Sequence, residues 1–206
     1  LIRLARALVR LESDLTDLGL QWAAVGGLAI AARAEPRTTR DLDIAIAVAG
    51  DREAEKIVLA LRGRGYRENP TGAVMEQKDV ARLATVRLLV PEKGEDQEEE
   101  GGLIVDLLFA SSGVEPEIVS AAEMMIVMQD VAVPVVTSGH LFALKVLAGR
   151  PKDLQDCQFL WRRMRPEDFQ EARETLDLIA ARGFHRGKDL NAEFARILEL
   201  ASGPDL

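Results

Sequence analysis

Apolar residues recur at steps of three and four through Leu4, Leu8, Leu11, Leu15 and Leu18. That spacing gathers them on one side and predicts an amphipathic helix over 2–18, ended by Gly19. Leu20 to Val25 is a short apolar run read as a buried strand. Gly26-Gly27 then leads into the alanine-rich stretch Leu28–Ala34, a tight turn followed by a helix that Pro36 closes. Asp41–Val48 reads as the next strand. Asp51 is placed as the cap of a helix to about Arg64, with Ile57, Val58 and Leu61 inward and Gly63 and Gly65 stopping it. Between Tyr66 and Val80 no period is legible. Arg82–Val90 and Leu103–Phe109 read as strands, joined by the loop Pro91–Gly102, whose run of like charge marks a solvated segment. Ser111–Pro116 turns the chain, Glu117–Ala122 makes a short helix, and 124–136 gives two short strands around Gln129-Asp130. From Ser138 the pattern is helical: Ser138–Leu147, Pro151–Met164, Glu167–Arg182 and Lys188–Ala201, punctuated by Gly149, Pro151, Pro166 and Gly183.

The order divides into a mixed α/β half, 1–136, and a helical half, 137–206, with no internal repeat. It predicts an α/β (α+β) fold, a mixed sheet flanked by helices with a C-terminal helical bundle packed on it. The 206 residues, 48% of them hydrophobic, suffice for one domain or a larger domain with a small helical appendage. No apolar run is long enough to span a bilayer. The basic, amphipathic N-terminal stretch is followed at once by Glu12, Asp14 and Asp17, which favours a folded helix over a targeting peptide. A single cysteine, Cys157, excludes an intrachain disulfide framework and fits a reducing cytoplasm. There is no zinc-ligand spacing, and the only histidines are His140 and His185. The net charge of −8 argues against a protein that coats nucleic acid, while leaving room for a local basic patch that holds one nucleic-acid end.

The candidate chemistry starts with Asp41-Leu42-Asp43. In a strand, residues i and i+2 point the same way, so both carboxylates share one face. Two carboxylates beside an apolar strand repel each other, and a divalent cation with hard oxygen preference removes the conflict. Mg²⁺ is the expected ion, with Mn²⁺ as its substitute. Gly26 and Gly27 allow a turn with positive φ and a close backbone approach to phosphate at a helix start. Asp106, set in LIVDLLF, is disfavoured by burial and needs a partner; if its strand lies beside Asp41–Val48, it joins the other two carboxylates. Lys145 sits on a helix, HLFALKVLAG, that is apolar nearly all round, so its ammonium must snorkel or meet an anion. His140 and Cys157 are read as packing residues and Trp161 as core.

The glycine pair followed by Arg37-x-Thr39-x-Asp41-x-Asp43 resembles the signature of the nucleotidyltransferase superfamily, most closely the AbiEii-like (type IV toxin) branch and its stand-alone relatives. The Gly-Gly turn replaces the Gly-Ser of the wider pattern. A second block, Lys145-x(4)-Arg150 followed by Pro151-Lys152-Asp153-Leu154-Gln155-Asp156, is similar to that branch's lysine motif with its Asp-rich helix start. The resemblance implies transfer of a nucleoside monophosphate from an NTP to a hydroxyl, with release of pyrophosphate. Asp41, Asp43 and Asp106 would be the metal-binding and catalytic carboxylates, Asp106 also accepting the hydroxyl proton. Lys145 would hold the triphosphate. Asp153 and Asp156 either offset a helix dipole or orient Lys145 and Arg150. Arg37 and Thr39 either fix the loop before the strand or touch phosphate. The acceptor implied is a tRNA end, a protein side chain or a small molecule, and the toxin branch implies an antitoxin partner; the lack of a bilayer-length apolar run predicts no membrane. The alternative is a non-catalytic module that keeps the fold to bind nucleotide or a partner.

Overall fold

The computed structural model describes residues 2–36, 38–68, 75–78, 82–91, 102–128 and 131–202. Within them the chain runs α1 (Ile2–Asp17), β1 (Trp22–Val25), α2 (Gly26–Arg33), β2 (Asp41–Ile46), α3 (Asp51–Gly63), β3 (Arg67–Glu68), β4 (Met75–Lys78), β5 (Arg82–Val90), β6 (Leu103–Leu108), α4 (Glu115–Ser120), β7 (Glu123–Met128), β8 (Val131–Val135), α5 (Ser138–Ala148), α6 (Pro151–Trp161), α7 (Pro166–Ala181) and α8 (Leu190–Ser202). The strands form one mixed sheet in the order β3-β5-β6-β2-β1-β8-β7, with β4 also pairing β5. At its centre β2 runs antiparallel to β1 and parallel to β6, in a register that sets Asp43 opposite Asp106.

Alternation along the central strands decides what each face of the sheet carries. Leu42, Ile44, Val86, Leu88, Val105 and Leu107 are fully buried. Helix α1, whose Leu8, Leu11 and Leu15 are also fully buried, packs against β5, β6 and β8, and α3 packs against β5. Asp14 interrupts the apolar face of α1 but is satisfied, taking bonds from Arg10 at 2.7 Å, Arg64 at 3.0 Å and the Tyr66 hydroxyl at 3.0 Å. Burial raises the proton affinity of Asp14, and these donors outweigh it, holding the carboxyl below its usual range. The other face carries Asp41, Asp43, Thr85, Arg87 and Asp106, and the C-terminal helices close over it. Helix α5 is buried along almost its whole length, packing against α2, α6, α7 and α8. Its Phe142 meets Phe169 and Phe194 edge to face, at 6.3 and 5.7 Å between ring centres.

The α7–α8 connection fastens the helical half to the turn after β6. The Phe184 ring fills the space above Gly113, whose φ of +76° and lack of Cβ make room for it. Arg182 donates to the Gly113 carbonyl at 2.6 Å and pairs with Glu117 at 2.7 Å. Among the described residues no helix is long and apolar enough to cross a membrane.

Two expectations are revised. Asp51 does not cap α3: Gly50 is the N-cap, and the Asp51 carboxylate instead accepts the Leu83 N–H at 3.1 Å, tying α3 to β5. The stretch without a legible period holds two strands, β3 and β4, both antiparallel to β5. The charged stretch 92–101, the turn 129–130 and Arg37 lie outside the described residues.

Candidate active site

Val25 ends β1 buried and extended, and Gly26 turns the chain at once into α2. Its φ is +58°, and a Cβ built there would overlap the Asp43 carboxylate, so the position requires glycine twice over. The Gly27 N–H donates to that same carboxylate, which therefore sits on the N-terminus of α2. Asp41, two residues back on the same face, is held by the Thr39 hydroxyl, which lies 3.0 Å from its carbonyl and 3.2 Å from its Oδ1. Thr39 thus fixes the start of the strand. Arg40 is exposed and forms no ion pair with Asp41 among the described residues.

Asp106 is buried beside Asp43, and it has a partner. Arg87 lies opposite it on β5 and donates through Nε at 2.7 Å and Nη2 at 2.6 Å, occupying both carboxylate oxygens. Charge-assisted, two-pronged bonds of this kind are short and directional. Arg87 entered no expectation from the sequence. The signal that exposed Asp106, a charge inside an apolar strand, stands equally in RLATVRLLV.

The second block folds as a clamp. Lys145 is 6% exposed, and its Nζ lies 3.1 Å from Asp153 Oδ1 and 2.8 Å from Asp156 Oδ2. Both acids are buried, one turn apart on α6. Arg150 donates to Asp153 through its backbone N–H at 3.1 Å and its Nε at 2.7 Å. Burial pushes Asp153 up, but the bonds and charges of Arg150 and Lys145 outweigh it and hold its proton affinity below the ordinary range. Cys157, the residue after Asp156, is fully buried, and burial pushes its thiol up to about 12. His140 is also structural, with Nδ1 2.7 Å from the Thr137 hydroxyl and 3.2 Å from Glu171 across the α5–α7 contact.

These parts meet in one cleft of about 440 Å³, lined by Gly26, Asp43, Thr85, Arg87 and Asp106 from the sheet side, by Leu141, Leu144, Lys145, Arg150 and Asp153 from the helices, and by Ser111, Ser112 and Arg186 at the turn between them. Arg186 has a φ of 57°, rare outside glycine, and donates to the Ser111 carbonyl at 3.0 Å. Thr85, Ser111, Ser112 and Arg186 carried no pattern that marks them in sequence.

Charge is unevenly shared in the cleft. Asp43 is half-buried, and burial together with the neighbouring charges of Asp41 and Asp106 raises its pKa to about 6, against the pull of Lys145 and the Gly27 N–H. Asp41 and Asp43 offer hard oxygen donors with excess negative charge, a set that fits Mg²⁺ or Mn²⁺ with the remaining positions left to phosphate and water. Among the described residues no three acidic, histidine or cysteine side chains close around one point, so the fit is to a pair of carboxylates.

A family model described as nucleotidyl transferase AbiEii toxin, type IV TA system, matches residues 6–203. Among solved structures, the chain is similar to the antibiotic-resistance factor ANT(2″)-Ia in solution, at 14% identity and a TM-score of 0.55, covering 88% of this chain and 95% of that one. It is also similar to JHP933 from Helicobacter pylori, at 17% identity and a TM-score of 0.47, covering 96% and 87%. The lincosamide antibiotic adenylyltransferase LnuA, bound to lincomycin, follows at 13% identity and a TM-score of 0.40, covering 84% and 96%. At these identities the first likeness concerns the fold. No curated protein matched the sequence.

Proposed function

The chain belongs to the AbiEii family of nucleotidyl transferase toxins of type IV toxin–antitoxin systems, and from that membership and the cleft we propose that it transfers a nucleoside monophosphate from an NTP to a hydroxyl group, dependent on a divalent cation. The observation that carries this reading is the division of charge in one cleft. Asp43, crowded by Asp41 and Asp106, faces Lys145 and Arg150, each held by buried acids.

Asp41 and Asp43 would hold the cation. A divalent ion there supplies charge neutralisation at the reacting phosphate and favours ionisation of the attacking hydroxyl. Lys145, locked between Asp153 and Asp156, presents a fixed positive charge to the polyphosphate and needs no reorganisation during reaction. The acceptor oxygen attacks the α-phosphorus, a P–O bond forms, and the bond to the bridging oxygen breaks so that pyrophosphate leaves. The hydroxyl proton needs an acceptor. Asp106 is adjacent, and taking the proton would require it to open one of its two bonds to Arg87. Family membership also suggests an antitoxin partner.

The test is incubation with each labelled NTP, Mg²⁺ and, in separate arms, total tRNA, a protein lysate and an aminoglycoside, scored for pyrophosphate release and for label on the acceptor. Release and labelling in one arm, abolished by Asp43→Asn, support the proposal. Nucleotide binding without pyrophosphate release in any arm would favour the non-catalytic module instead.

A further inference from the structure

Three basic residues of the cleft are each held from behind by a buried acid. Lys145 rests on Asp153 and Asp156, Arg150 on Asp153, and Arg87 on Asp106. The Arg87–Asp106 pair differs only in standing on the sheet, directly beside the carboxylate that carries the excess negative charge.

A guanidinium has five N–H donors in a rigid fork. Asp106 engages Nε and one N–H of Nη2, and the Arg87 side chain is 38% exposed where it lines the cleft. The remaining N–H groups, including both of Nη1, are not engaged by Asp106. Asp106 is 8% exposed and takes one Arg87 bond on each oxygen. Stripping a buried carboxylate of such a partner is costly, whereas the wet side of the guanidinium can take a new anion with its existing bonds intact.

We propose that Arg87 is an anion-holding residue of the site, aimed at the polyphosphate of the nucleotide by Asp106, which thereby acts as a positioning residue and does not ligate the metal. The proposal rests on the nucleotide-transfer reading and adds to it a second cationic wall, on the sheet, opposite Lys145. A rival arrangement uses the same contacts with the opposite consequence. In it Arg87 only keeps the place of a metal ion that Asp106 is built to bind.

Two binding measurements on the intact chain without NTP separate these. Mn²⁺ affinity is read by electron paramagnetic resonance, and Mg-pyrophosphate affinity by calorimetry, in wild type, Arg87→Gln, Arg87→Lys, the double variant Arg87→Gln with Asp106→Asn, and Asp43→Asn. The proposal expects Arg87→Gln to weaken pyrophosphate binding by about tenfold or more, the effect of losing a bond to a charged group. Arg87→Lys should recover part of it, and Mn²⁺ affinity should stay within about twofold of wild type in Arg87→Lys and in the double variant, both of which keep the net charge beside Asp43, an invariance expected because Asp106 is not a ligand. If Arg87→Gln does not fold, the double variant, whose neutral side chains can still hydrogen-bond, carries the same comparison. Unchanged pyrophosphate affinity overturns the proposal. So does weaker Mn²⁺ binding in the double variant. Failure of the underlying reading looks different: wild type then binds no Mn²⁺, or Asp43→Asn binds it equally well.

Discussion

Asp43 concentrates the conflict in the site, and pH exposes it. Its folded pKa of about 6 exceeds the ordinary 3.8, so the native state holds this proton more tightly than the unfolded chain. The stability linked to that proton is full below about pH 4 and is lost as pH rises through about 6. Asp43→Asn removes the charge while keeping an oxygen for the Gly27 N–H. In the absence of metal, the variant should therefore melt above wild type at pH 7.5, and the difference should close towards pH 4. A thermal melt series across that range checks it, and a variant less stable than wild type at pH 7.5 would mean that the carboxylate is structural. Lys145 gives the opposite case. Lys145→Ala leaves Asp153 and Asp156 buried without their shared cation, which costs about 3–5 kcal/mol for a pair of this kind. Weaker nucleotide binding in that variant would thus mix lost contact with lost structure. Lys145→Arg keeps the charge, and it should retain the fold while recovering only part of the Mg-NTP affinity, because a planar fork does not replace a point charge. Melting and calorimetry on both variants separate the two effects.

The elements around Gly26 show how a turn can decide where a carboxylate sits. Gly26→Ala forces a strained φ and drives a methyl group into the Asp43 carboxylate. The carboxylate must swing away, so Mn²⁺ binding should fall by tenfold or more even in preparations whose circular dichroism is unchanged, with a stability loss of about 1–3 kcal/mol. Retained Mn²⁺ affinity would show that Asp43 does not need its place on α2. This corner of the molecule was legible in the sequence because its signals conflict with burial. A glycine pair interrupts an apolar strand, and Asp41, Asp43 and Asp106 sit in runs that would otherwise be core. Lys145 was legible for the same reason, as a charge on an apolar helix. What stayed hidden depends on where the chain goes next. Strand β4, MEQK, lacks the branched and aromatic residues that mark strands, and it owes its conformation to pairing with β5. Asp51 has the chemistry of a cap, but the turn falls one residue earlier and Leu83 claims its carboxylate. Arg87 could be recognised only once the sheet order set it across from Asp106.

At the scale of the whole molecule, the site exists only while the helical half stays on the sheet, since Asp43 comes from one and Lys145 from the other. The two are fastened at the α7–α8 connection by Phe184 and Arg182 and along α5 by continuous packing. Within that packing lies the chain's single cysteine, Cys157, fully buried next to the Lys145 clamp with a thiol whose pKa is about 12. Near neutral pH such a thiol is almost all protonated and shielded, so an alkylating reagent reaches it only during excursions that part α6 from its neighbours. The native protein therefore carries its own clock for opening of the cleft, with no label to engineer. Modification by iodoacetamide at pH 8 should run orders of magnitude slower than in denaturant. Saturating Mg-NTP should slow it further if the nucleotide bridges sheet and helices, and leave it unchanged if the ligand rests on the sheet alone.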